Sequence, residues 1–253
     1  MEIALIPPVS RLHTNLSSKT QMLIPAALKY HKYSVHYHYL SEWDGSYIIM
    51  DNGMFEHGML SSDGLVDLAL KYHAHEIVVP DAKGDRDKSI NLAEDFMNAW
   101  PKDADMSFMF VPQGQSLEEV TECIDAYTSL IAHLSLPKAI IGLPRWMGEE
   151  FVPNARLLLL DYLADNAPEM KAHLLGVNRK MPADVREAAK IHRGYVRSMD
   201  TDAPFVWAWY GVELSETPSN AERPTEYFNA DPDMYPIDLI NKNIRTLREW
   251  ANG

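Results

Sequence analysis

Short apolar runs recur along the chain, each closed by a polar or glycine turn and followed by a stretch with one apolar face. The first run is 2–8 (EIALIPP), and the next clear one is 47–50 (YIIM), which leads into Asp51-Asn52-Gly53. A continuous apolar run of this length reads as a strand buried on both faces. Gly53, free to take positive φ, turns the chain behind it. Residues 61–74 then place Leu65, Leu68, Ala69 and Tyr72 at helical spacing. The same alternation returns in 76–80 (EIVVP) ending at Asp81, with a helix over 87–100. It returns again in 107–111 (SFMFV) ending at Pro112-Gln113-Gly114, with a helix over 116–131. Ser116 and Glu119 fit a capping box there. Three further strands are predicted at 138–141, 172–175 and 195–199, closing on Gly142-Leu143, Gly176-Val177 and Asp200-Thr201-Asp202. Helices over 154–165, with Asn154 as cap, and over 182–192, with Pro182 in the first turn, separate them.

Other stretches read less simply. Residues 20–30 are a helix candidate interrupted by Pro25. The alternating, polar-aromatic 31–39 segment suits an edge strand or a loop, and 205–210 (FVWAWY) is a candidate eighth strand. Residues 212–236, rich in Pro, Asn, Ser and acids, read as a long loop, of a kind usually functional or mobile. A closing helix over about 237–251 sets Ile237, Ile240, Ile244, Leu247 and Trp250 in register. Strand–helix alternation on this scale predicts a parallel sheet covered on both faces. The expected fold is α/β: a single-domain (β/α)8 (TIM) barrel over 1–253, with a doubly wound open sheet as the alternative.

Composition narrows the function. A net charge of −13 argues against a generic nucleic-acid binder, whose footprint is a basic face. Lys83, Arg86, Lys88, Arg145, Arg179 and Lys180 nevertheless all follow strands, on one expected rim. Asp85, Asp87, Glu149 and Glu150 interleave with them, so ordinary solvated loop charge is the competing reading. Cys123 is the one cysteine, which excludes an internal disulfide and a Cys-rich zinc site. The start of the chain lacks the pattern of a signal peptide, and no apolar run has membrane-spanning length. A cytoplasmic protein is expected. His31, His36 and His38 lack a matching carboxylate set, so no metal is assigned to them.

In a barrel, Asp51, Asp81, Gln113, Gly142-Leu143, Gly176-Val177 and Asp200 would surround one mouth. Several of these stretches resemble motifs of the queuine/archaeosine tRNA-guanine transglycosylase superfamily. Asp51-Asn52-Gly53-Met54-Phe55-Glu56 is similar to that family's Asp-Ser-Gly-Gly-(Phe/Tyr)-Gln, and Val111-Pro112-Gln113-Gly114 to its Val-Gln-Gly. His173-Leu174-Leu175-Gly176-Val177 is similar to its His-Leu-(Leu/Met)-Gly-Val, and Met199-Asp200-Thr201-Asp202 falls where the family carries its nucleophilic aspartate. The motifs keep the family's order from about Tyr47 to Phe205. Met54 and Glu56 stand where the family has Gly and Gln, and its Cys-x-Cys-x-x-Cys…His zinc site is missing. The closer resemblance is therefore to the short, zinc-less DNA 7-deazaguanine transglycosylases of phages and bacteria.

That resemblance implies exchange of guanine in DNA for a free 7-deazaguanine base such as 7-cyano-7-deazaguanine, without cofactor or metal. It implies Asp200 as nucleophile, with Asp202 as the alternative, and Asp51 as general acid/base or as a holder of the departing base. Asp81 would take the N1/N2 edge of guanine, while Gln113 and the backbone near Gly142 would donate to O6. Phe55 would stack on the base, and Leu143 and Gly176 complete the expected base-binding set. The chemistry is coherent: cleaving a glycosidic bond with retention needs a nucleophile and a nearby proton carrier, commonly two carboxylates. A nucleoside or glycoside hydrolase using the same acids, a tRNA-guanine transglycosylase, and a non-catalytic purine- or protein-binding barrel are the other readings.

Overall fold

Eight parallel strands, each delivering its carboxyl end to the same side, form the centre of the computed structural model, which describes residues 1–54, 60–101 and 106–253. The strands are β1 (Glu2–Leu5), β2 (Thr20–Leu23), β3 (Tyr47–Met50), β4 (Glu76–Val78), β5 (Ser107–Phe110), β6 (Ile140–Pro144), β7 (Lys171–Leu175) and β8 (Val196–Thr201). The hydrogen-bonded order β1-β8-β7-β6-β5-β4-β3-β2 wraps the sheet into a barrel, and β1 and β2 meet at its seam without a ladder. Side chains bridge the seam region. The Ser18 hydroxyl donates to the Ile3 carbonyl, and the Gln21 amide donates to the carbonyls of Asn15 (2.9 Å) and Ser18 (2.5 Å).

Helices α1 (His31–Tyr39), α2 (Ser62–Lys71), α3 (Arg86–Ala99), α4 (Leu117–His133), α5 (Trp146–Glu150), α6 (Ala155–Asn166), α7 (Asp184–Ile191), α8 (Ala203–Trp209) and α9 (Ile237–Asn252) follow the strands. The (β/α)8 expectation holds. The caps follow local chemistry: Ser61, Asp85 and Ser116 accept from the amides of Gly64, Lys88 and Glu119. Glu119 returns to the Gln115 amide at 2.7 Å. Asn154 occupies the cap position of α6 but makes no side-chain cap bond there, and Pro182 lies ahead of α7 rather than in its first turn.

Three elements differ from expectation. Thr20–Leu23 is a strand buried at every position, so it shows no alternation, and Pro25 opens a short 3-10 turn behind it. Residues His31–Tyr39 are helical, because Tyr33, Tyr37 and Leu40 point inward together while Val35 and Tyr39 stay about half exposed. Residues 205–209 belong to the largely buried helix α8, with Tyr210 just past its end and half exposed, and the eighth strand is β2. The long loop is expected and present, and it is tied down. Tyr227 donates to the Ile6 carbonyl, Tyr235 to the Tyr227 carbonyl (2.8 Å), and Asn243 accepts from the Leu214 amide (2.7 Å). These anchors lay residues 222–228 across the barrel mouth. Among the described residues, no helix is long and apolar enough to cross a membrane.

Candidate active site

A cavity of about 590 Å³ opens at the carboxyl ends of the strands, and all eight strands or their exits contribute to its wall. That end is where barrel enzymes place their chemistry. Asp51, Asp81, Gly176 and Asp200 all line it. The sequence order of the acids therefore becomes a ring.

Asp51 stands one residue past β3. Its Oδ2 accepts from the Gly53 amide at 2.9 Å, a local turn that Gly53 completes with φ +80°. Asp81 lies deeper and is 3% exposed. Asn52 donates to its Oδ1 at 2.7 Å, and the Gln113 amide donates to its Oδ2. Asn52 also donates to the Val79 carbonyl and accepts from the Met54 amide, so its orientation is set. Burial pushes the Asp81 carboxyl up to about 7, against the two donors, which favour the charged form. Its contribution to stability is thus fully present below about 4 and is lost as pH rises through about 7. Carboxyl 13C NMR should show Asp81 titrating near neutrality, and Asp81→Asn should remove that component from the pH dependence of the denaturation midpoint.

Asp200 projects from β8, paired in register with Ala4 and Leu175 of the flanking strands. It is 8% exposed, and its Oδ1 lies 3.1 Å from Nε2 of the fully buried His173. Among the described residues Oδ2 has no partner. Asp202 differs. It also lines the cavity, but its carboxylate pairs with Arg223 at 2.5 Å. Burial pushes Asp202 up, and Arg223 and Arg145 outweigh that and hold it below the usual carboxylate range. Of the two candidate nucleophiles, Asp200 has the uncommitted oxygen.

Gly176 is required by shape. Its φ is +75°, and a Cβ there would lie 2.7 Å from Arg145 Cδ. Its carbonyl accepts from Arg156 Nη1 at 2.7 Å. Gly176→Ala should displace Arg145 from the rim and cost about 1–3 kcal/mol, read from a urea midpoint.

The remaining expected residues fall elsewhere. Gln113 is fully buried and does not line the cavity: its amide nitrogen is engaged by Asp81 and its oxygen accepts from the Gly84 amide at 3.1 Å. It stands behind Asp81 rather than facing the cavity. Gly142 and Leu143 are expected at a strand exit, but β6 runs on to Pro144 and pairs them with His173 and Leu174. Neither lines the cavity, and a Cβ on Gly142 would meet Met109 Sδ at 2.9 Å. Phe55 lies outside the described residues.

Several wall residues carry no signal in the sequence. Trp146 lines the cavity with its indole N–H buried and, among the described residues, unpartnered; Lys83 sits 5.2 Å from its ring centroid. Arg223, Tyr227 and Phe228 arrive from the long loop. The rim cations are largely paired: Arg179 with Glu149 (2.9 Å) and Glu222 (2.8 Å), Arg145 with Glu149 (3.1 Å), Lys83 with Glu150 (2.5 Å). Of the expected basic rim, Lys83, Arg145 and Arg179 line the mouth. Arg86 pairs instead with Asp87 and Glu122, and Lys180 donates to the Glu149 carbonyl.

No protein-family model matches the sequence, and no curated protein matches it. Solved structures match in shape. D-psicose 3-epimerase from Clostridium cellulolyticum H10, determined with D-tagatose, superposes with a TM-score of 0.51 at 9% identity, covering 96% of this chain and 93% of that one. An oxaloacetate acetylhydrolase bound to 3,3-difluorooxalacetate gives 0.51 at 14% identity, covering 100% and 92%. At such identities the likeness is one of fold alone.

Proposed function

We propose that this protein is an enzyme that exchanges guanine in DNA for a 7-deazaguanine base, such as 7-cyano-7-deazaguanine, through a covalent aspartyl-deoxyribose intermediate. The observation that carries the reading is the convergence of Asp51 and Asp200, from β3 and β8, on one cavity with the buried acid Asp81 in its wall. In this reading Asp200 Oδ2 attacks C1′. The bond from C1′ to guanine N9 breaks, its electron pair leaves with the base, and an acid such as Asp51 supplies the proton. The incoming base then gives its own N9 proton to the carboxylate left at Asp51 and attacks C1′ from the face the guanine left, releasing the Asp200 carboxylate. Two displacements give net retention. Asp81, held near neutrality, suits the N1/N2 edge of a purine, and the aromatic wall of Tyr30, Trp146 and Phe228 offers stacking surface.

One observation favours a second reading, a hydrolase of small nucleosides. The rim arginines already carry carboxylate partners, so a phosphate backbone would have to displace them. Incubation of the protein with duplex or single-stranded DNA and labelled guanine separates the two. Label entering DNA without loss of bases supports exchange; abasic sites, or release of base from free nucleosides only, supports hydrolysis.

A further inference from the structure

A line of hydrogen bonds runs through the barrel interior from its amino-terminal end to the cavity. At its foot the Glu76 carboxylate, fully buried, receives Arg197 Nη1 at 2.6 Å, Arg197 Nη2 at 2.9 Å and the Tyr47 hydroxyl at 3.0 Å. Arg197 is the extra residue of a bulge: Ala172 pairs with Val196 and His173 with Ser198, leaving 197 between them. The bulge sets the guanidinium beside its own neighbour, and Nε lies 3.1 Å from Ser198 Oγ. Ser198 Oγ is 2.8 Å from His173 Nδ1, and His173 Nε2 is 3.1 Å from Asp200 Oδ1.

The direction of each bond follows from what the groups can do. A guanidinium only donates, so Ser198 accepts from Arg197; a carboxylate only accepts, so His173 presents Nε2–H to Asp200 and Ser198 turns its single proton toward Nδ1. Nδ1 is then an acceptor, and the neutral ring carries its proton on Nε2, aimed at Asp200. We infer that His173 is a positioning residue for Asp200, its Nε2–H tautomer fixed by Ser198 and by Arg197 anchored on Glu76. The bond pins Oδ1, stops the carboxylate from turning about its last torsion, and leaves Oδ2 toward the cavity. This inference rests on the reading of Asp200 as nucleophile. It adds a cause for which oxygen attacks. Misplacing a reacting atom by about 1 Å costs on the order of 10²-fold in rate.

The test uses the full chain labelled with 15N-histidine, the His173 signals being assigned by their loss in His173→Gln. A pyridine-type Nδ1 and a pyrrole-type Nε2 are expected, shifting toward a tautomer mixture in Ser198→Ala. In the base-exchange assay, His173→Phe should lower kcat on the order of 10²-fold with KM for the incoming base unchanged. His173→Gln, which returns a donor toward Asp200, should recover at least roughly tenfold of that loss. If His173→Phe does not fold, a drop of about tenfold in kcat for Ser198→Ala takes its place. An Nδ1–H tautomer in the unmodified protein, or full kcat in folded His173→Phe, overturns the inference. Absence of any base exchange overturns the functional reading instead, and the tautomer measurement then decides this one alone.

Discussion

Asp200→Asn is expected to reduce base exchange by at least ~10⁴-fold while leaving the melting temperature within a few degrees. An amide does not form the aspartyl ester, so the first displacement is lost outright. The fold has little reason to object. The substituted amide keeps an oxygen for His173 Nε2, and its nitrogen can take the place of the Oδ2 that has no partner among the described residues. Asp202→Asn provides the contrast. Its carboxylate is committed to Arg223, so its loss should loosen the rim and slow turnover about tenfold without abolishing it. Asp51→Asn should fall between the two, in the 10²–10⁴-fold range roughly typical of a general acid/base. Steady-state exchange rates on the three variants, with thermal melts alongside, check this ordering.

Arg156→Met carries the largest expected effect on stability, about 3–5 kcal/mol. Arg156 and Asp184 are each about 1% exposed, and two bonds of 2.8 Å join them. Burial already pushes the Asp184 carboxyl above its ordinary range, with Arg156 opposing the shift. Without the arginine, Asp184 becomes a buried acid with no counter-charge, and the Gly176 carbonyl loses its donor. The deficit is a large part of a total that is only about 5–15 kcal/mol for a typical protein. It should shrink at acid pH, where Asp184 enters the fold protonated. Arg156→Met combined with Asp184→Leu should recover most of it, because removing both charges also removes the desolvation cost. Urea midpoints for the single and double variants, followed from acid to alkaline pH, measure each part.

The barrel was legible in the sequence wherever a strand stood between a helix with one apolar face and a turn of Gly, Pro or Asp. It was illegible where burial was complete on every side. Thr20–Leu23 is a strand and Ala203–Trp209 a helix, both buried almost throughout, and periodicity does not separate such segments. In His31–Tyr39 the aromatic spacing suits a strand and a helix equally; the choice falls to the packing of Tyr33 and Tyr37 beneath the barrel's flank. That Asp51, Asp81 and Asp200 would line one cavity was legible because strand exits converge in a barrel. Gly142 and Leu143 were placed one layer too near the cavity, since sequence does not tell where a strand stops, and Gln113 because sequence does not show that its amide is taken up by Asp81 and Gly84. His173 stood in plain view inside a quoted motif. What it touches depends on the register of β7 against β8, and that register contains a bulge no local pattern announces.

Covalent attachment of deoxyribose to Asp200 is the step on which the proposed reaction turns. Quenching the reaction of protein and DNA with acid, digesting the protein, and sequencing the adducted peptide by mass spectrometry addresses it directly. The expected result is a sugar adduct on Asp200 that is discharged by added 7-deazaguanine base and is absent from Asp200→Asn. An adduct on Asp51 or Asp202, or base release with no adduct on any residue, would contradict it.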